Sequence, residues 1–95
     1  MSVQRQVHLS ITGRVQGVWY RGWTVKTASA LGLQGWVRNR RDGTVEAVFS
    51  GSTAAVEEMI QACRKGPPAA RVDEIDVSES GEPLLHSGFR QLETI

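Results

Sequence analysis

The hydrophobic repeat of this chain alternates between two residues and three to four, and the order of those changes limits the fold more than composition does. From Gln6 to Thr12, Val7, Leu9 and Ile11 alternate with Gln6, His8, Ser10 and Thr12. Period two predicts a strand with one buried and one wetter face. From Tyr20, the apolar or small residues Tyr20, Thr24, Thr27, Ala28 and Leu31 share one helical face, and Gly32 follows as a stop. "GWVRN" is short and β-prone, Asp42-Gly43 is a turn signal, and Val45, Ala47 and Phe49 resume alternation. Residues 35–50 therefore read as a hairpin. A second helix opens at Gly51-Ser52-Thr53, with Ser52 or Thr53 as its cap and Glu57 and Glu58 near its positive end. Its stripe is Val56, Met59, Ile60 and Cys63, and "KGPP" ends it. In the next strand, "ARVDEIDVSES", Val72 and Ile75 are out of phase, which predicts a bulge or a late strand start. The tail "GEPLLHSGFRQLETI" offers a short edge strand near Phe89.

The order β-α-β-β-α-β predicts an α+β fold: a ferredoxin-like split-βαβ sandwich, with an antiparallel sheet and two helices on one face. The length suits a single domain over residues 1–95. The one cysteine excludes an internal disulfide, which suits a reducing compartment. "MSVQRQVHLS" has no apolar run of signal-peptide length, and nothing later approaches a membrane span. A cytoplasmic protein is expected. With 11 basic and 10 acidic residues the net charge is +1, so no bulk attraction to nucleic acid or membrane follows.

The junction "GRVQGVWYRGWT" between the first strand and helix is the first candidate site. A helix N-terminus leaves amides unpaired at a positive dipole end, which favours an anion. Gly13 and Gly17 permit close backbone approach, and Arg21 in the first turn adds a two-pronged donor. A plain tight turn with a surface arginine would read the same way. No Gly-Lys-Ser/Thr follows, so a nucleotide P-loop is excluded. The second candidate is Asn39. In the expected sheet, strands one and two run parallel with strand three between them, so their ends share one edge and Asn39 neighbours the loop. An amide there could orient a water molecule or merely shape the hairpin turn.

Together, "GRVQGVWYR" and "GWVRNRRDGTVE" resemble the acylphosphatase family, from strand one to at least the end of strand three. The resemblance implies the ferredoxin-like fold and hydrolysis of acyl phosphates to a carboxylate and inorganic phosphate, without metal or other cofactor. It implies that Arg21 binds phosphate, that Asn39 positions the water, and that Gly13, Arg14, Val15, Gln16, Gly17, Val18 and Trp19 form a backbone cradle. Tyr20 stands where phenylalanine is usual, Trp19, Gly22 and Trp23 are less typical, and Gln91 replaces an expected aliphatic residue.

The residues suit that chemistry. Neither motif offers a histidine, a carboxylate pair or a cluster of metal ligands. A site without a general acid expels an alkoxide poorly, whereas a carboxylate, whose conjugate acid has a pKa of about 4, leaves unprotonated. Mixed anhydrides are therefore expected rather than phosphate monoesters, with the substrate phosphate available to accept the proton of the water. Inorganic phosphate and sulfate are the expected competitive ligands. Cys63 reads as a buried structural thiol and His8 as a residue of the uncovered face. Arg40-Arg41 reads as a solvated turn. An RNA-binding module on this topology would want aromatics on strands one and three, where Gln6, His8, Ser10, Glu46 and Val48 stand instead. A non-catalytic anion-binding module would have no use for an asparagine beside the arginine. A free-standing monomeric enzyme is expected, rather than a unit of a larger maturation enzyme.

Overall fold

Val7, Leu9 and Ile11 are fully buried in the computed structural model, as their alternation predicts. The structure describes residues 4–95; residues 1–3 of the expected 1–95 domain lie outside the described residues. The elements run β1 (Gln4–Arg14), α1 (Tyr20–Ala30), β2 (Gln34–Asn39), β3 (Val45–Ser52), α2 (Thr53–Lys65), β4 (Arg71–Glu79) and β5 (Phe89–Gln91). The sheet has the order β4-β1-β3-β2-β5. β3 pairs antiparallel with both β1 and β2, and β4 pairs antiparallel with β1. This is the ferredoxin-like α+β arrangement.

The expected antiparallel sheet needs one amendment. β5 runs parallel to β2, with Gly35 opposite Phe89 and Val37 opposite Gln91, so the sheet is mixed. After β4 the chain crosses to the far edge and continues in the direction of β2. Phe89 anchors the added strand by stacking on Phe49, with ring centroids 5.3 Å apart. The phase slip in β4 is a bulge: Thr12 pairs with Glu74 and Gly13 with Val72, leaving Asp73 between them.

The core lies between the sheet and its two helices. α1 contacts β2 and β5, while α2 contacts β1, β3 and β4. The predicted stripe of α2, Val56, Met59, Ile60 and Cys63, is buried. Ser52 is its cap, its Oγ accepting from the Ala55 amide at 3.2 Å. The opposite sheet face is less open than alternation suggests, because Glu46 and Val48 of central β3 are buried as well. Val48 pairs with His8 on one side and Trp36 on the other, whose rings meet edge-on. Glu46 accepts from Arg38 Nε at 2.7 Å and Arg40 Nη1 at 3.2 Å, and its Oε2 lies 2.6 Å from His8 Nε2. Burial pushes the Glu46 carboxyl up, but these hydrogen bonds and the Arg38 charge outweigh it and hold it below its ordinary range. The Arg38 guanidinium also covers Trp36, 4.5 Å from the ring centroid. The face therefore presents no run of exposed aromatics for stacking bases.

Candidate active site

β1 and β2 end at the same edge of the sheet, since Val45 of β3 pairs with Ile11 on one side and Asn39 on the other. Two strand spacings, about 10 Å, separate those neighbours. The chain leaving β1 turns through residues 15–19 into α1, and this loop faces the end of β2 across a cleft of 350 Å³. Val15, Gly17, Trp19, Arg21 and Asn39, all singled out in the sequence, line it.

The remaining loop positions do other work. Gly13 and Arg14 belong to β1 and pair with β4. A Cβ on Gly13 would lie 2.2 Å from the Arg71 carbonyl oxygen, so glycine there lets β4 approach. Val18 is buried in the core. Gln16 turns its side chain away from the cleft, and Nε2 donates to the carbonyls of Arg40 at 2.7 Å and Thr44 at 2.8 Å. That tether fastens the loop to the β2–β3 turn and so fixes its position relative to Asn39. Of the seven loop positions from Gly13 to Trp19, three line the cleft: Val15, Gly17 and Trp19. Neither Gly17 nor Val18 gives its amide to a described residue.

Asn39 is only 9% exposed, and its Oδ1 is buried with no hydrogen-bond partner among the described residues. An acceptor in that condition costs on the order of 1–3 kcal/mol, so a ligand or water that donates to it is strongly favoured. Asn39 pairs with Val45 through its backbone beside the hairpin turn, but among the described residues its side chain makes no hydrogen bond to that turn. Asp42 Oδ1 accepts from the Thr44 amide at 3.0 Å and from Thr44 Oγ1 at 2.6 Å, and Gly43 takes a φ of 95°. These bonds from Thr44 hold the Asp42 carboxyl below its usual range.

Arg21 is half-buried in the first turn of α1, and no described carboxylate lies within ion-pair distance of it. Its charge is available to the cleft. By contrast, Arg40 is committed to Glu46 and Arg38 to Glu46 and Trp36. No aspartate, glutamate or histidine lines the cleft, and among the described residues no three His, Cys, Asp or Glu side chains gather in a metal-sized group.

Three lining residues come from outside the predicted set: Tyr20, Gly22 and Gln91. Gln91 is an exposed residue of β5, and its polar side chain at a position expected to be aliphatic was the available signal. Tyr20 is fully buried, and its hydroxyl donates to the Cys63 carbonyl at 2.7 Å. That carbonyl belongs to the last turn of α2, where the helix leaves acceptors unpaired. A Cβ on Gly66 would come within 2.7 Å of the Tyr20 ring, so the chain turn after α2 makes room for it. The start of α1, with Arg21, is therefore pinned to the end of α2.

Cys63 is fully buried, and burial pushes its thiol up to about 12. It takes no part in the cleft lining. Cys63→Ser is expected to lower the unfolding free energy by about 1–3 kcal/mol by burying a hydroxyl, with turnover unchanged. Chemical denaturation and steady-state rates on the same variant check this, and a folded variant without turnover would return attention to a thiol mechanism.

A second cleft, of 210 Å³, opens beside β2 on the sheet face away from the helices, between Trp36 and Arg38 and the segment carrying Leu84, Leu85 and His86. Its cation is already paired. Among the described residues no helix is long and apolar enough to cross a membrane.

Comparison with known proteins bears on the family and the fold. A family model described as acylphosphatase matches residues 7–91. An acylphosphatase of Rhodospirillum rubrum is 67% identical over 81 residues, which are 85% of this chain and 88% of that one. The solved structure of an acylphosphatase from Coxiella burnetii superposes with a TM-score of 0.88 at 32% identity, covering 94% of this chain and 93% of that one. The acylphosphatase from Bacillus subtilis gives a TM-score of 0.87 at 34% identity, covering 95% and 99%.

Proposed function

Because the chain belongs to the acylphosphatase family, we propose that it hydrolyses acyl phosphates at the cleft between the 15–19 loop and Asn39. The observation that carries the reading is the unpartnered Asn39 Oδ1 opposite an arginine with no ion-pair partner among the described residues. The loop amides and Arg21 hold the peripheral oxygens of the phosphoryl group and stabilise their charge. Asn39 Oδ1 accepts one O–H bond of a water and leaves a lone pair of the water oxygen aimed at phosphorus. Fixing the water in this way removes part of the entropy cost of attack. The water oxygen forms the new P–O bond, the P–O bond to the acyl group breaks, and the carboxylate leaves with the electron pair. The balance is RCO–OPO₃²⁻ + H₂O → RCOO⁻ + H₂PO₄⁻. With no acidic or histidine side chain in the cleft lining, a phosphoryl oxygen takes the water's proton. Little bond formation precedes the transition state in phosphoryl transfer, so a strong base is unnecessary.

The reading extends to a monomeric cytoplasmic enzyme that needs no metal, with inorganic phosphate and sulfate as competitive ligands. The buried single cysteine and the near-neutral net charge support it. Turnover of benzoyl phosphate by purified protein is expected to persist in excess chelator, with little action on an alkyl phosphate monoester. Activity lost in chelator and restored by a divalent cation would overturn the metal-free mechanism. No turnover of any acyl phosphate would overturn the function.

A further inference from the structure

Trp19 is the one described residue other than glycine with a positive φ, 66°. A bulky side chain is disfavoured there, and a glycine inside a helix is disfavoured too. The two irregularities share one cause. A Cβ on Gly22 would lie 2.1 Å from Trp19 Nε1 and 2.7 Å from its Cδ1 and Cε2. The indole is therefore laid against the bare backbone of α1, yet Trp19 stays 63% exposed. Hydrophobic burial does not account for a strained aromatic that remains in water. Its place does: the cleft has a buried end at Asn39 and an open rim at Trp19.

In an in-line displacement, the attacking water and the leaving group lie on opposite sides of phosphorus. With the water at Asn39, the acyl group points to the rim, where the indole lies. We propose that Trp19, seated on Gly22, is a platform for the acyl group and selects acyl phosphates with an aromatic acyl portion over small aliphatic ones. This rests on the acyl phosphate reading above and adds to it the class of substrate. A flat ring gains both apolar contact and a favourable ring–ring arrangement on the indole, which an acetyl group cannot match. The phosphoryl group is held by Arg21 and the loop amides whichever acyl group is attached, so Trp19 sets specificity without setting phosphate affinity.

The test measures kcat/KM for benzoyl phosphate and acetyl phosphate, with inhibition by inorganic phosphate, on the wild type, Trp19→Ala, Trp19→Phe and Gly22→Ala. Trp19→Ala is expected to lower the benzoyl-to-acetyl ratio about 2- to 10-fold, and the ratio cancels any loss of phosphate binding common to both substrates. Trp19→Phe should keep most of the preference. Gly22→Ala, which dislodges the indole from its seat, should lower the ratio in the same direction. If Trp19→Ala also loses phosphate inhibition, its loop has collapsed, and the ratios of the other two variants decide. A ratio unchanged across the variants, with both substrates turned over, would overturn the platform and leave the acyl phosphate reading standing. Failure of the wild type to hydrolyse either substrate would overturn both.

Discussion

Asn39→Ala is expected to lower kcat by about 100-fold or more, the loss that follows when a reacting group is no longer held in place. Inhibition by inorganic phosphate should stay near the wild-type value, because the 15–19 loop and Arg21 are untouched. Loss of kcat without loss of ground-state binding is the kinetic mark of an interaction made in the transition state. The melting temperature carries independent information. Asn39 Oδ1 has no partner among the described residues, so removing it takes away a buried orphan acceptor and should leave stability unchanged or raised. A turn-shaping asparagine would behave in the opposite way, with a lower melting temperature and a normal kcat. Asp42 and Gly43 already do that work in the hairpin. A destabilised but fully active Asn39→Ala protein would end the water-positioning role.

Arg21→Ala should be more severe, and different in kind. Arginines that stabilise phosphoryl transfer contribute roughly 10³- to 10⁵-fold in kcat, and a loss in that range is expected together with loss of phosphate inhibition. Stability should change little by comparison, since a half-buried charge without an ion-pair partner among the described residues adds no pairing energy to the fold. Arg21→Lys is expected to fail nearly as badly, because a point charge on a flexible stem does not reproduce the planar fork. If the lysine variant kept most activity, Arg21 would supply general attraction only. Phosphate inhibition separates the two residues: Asn39→Ala keeps it and Arg21→Ala loses it.

What was legible in the sequence is what neighbouring residues decide among themselves. Val7, Leu9 and Ile11 show β1 because side chains alternate along any strand, and Val56, Met59, Ile60 and Cys63 show α2 because a helix repeats every three to four residues. The parallel run of β1 and β2 follows from the order of elements, and it brings Asn39 to the cleft that Arg21 also lines. Tertiary structure alone decided how far each prediction reached. Gly13 and Arg14 are strand residues because β4 pairs with β1 as far as Arg14, a contact between residues far apart in the chain. Glu46 and Val48 are buried because β3 is central and has neighbours on both sides, whereas alternation reports only a strand's own two faces. Gln91 joins the cleft because β5 adds to β2 in parallel. Tyr20 differs from phenylalanine by one hydroxyl, and the Cys63 carbonyl that receives it lies in another helix. Trp19 and Gly22 each break a local rule, and only their contact in space gives the two exceptions a common reason.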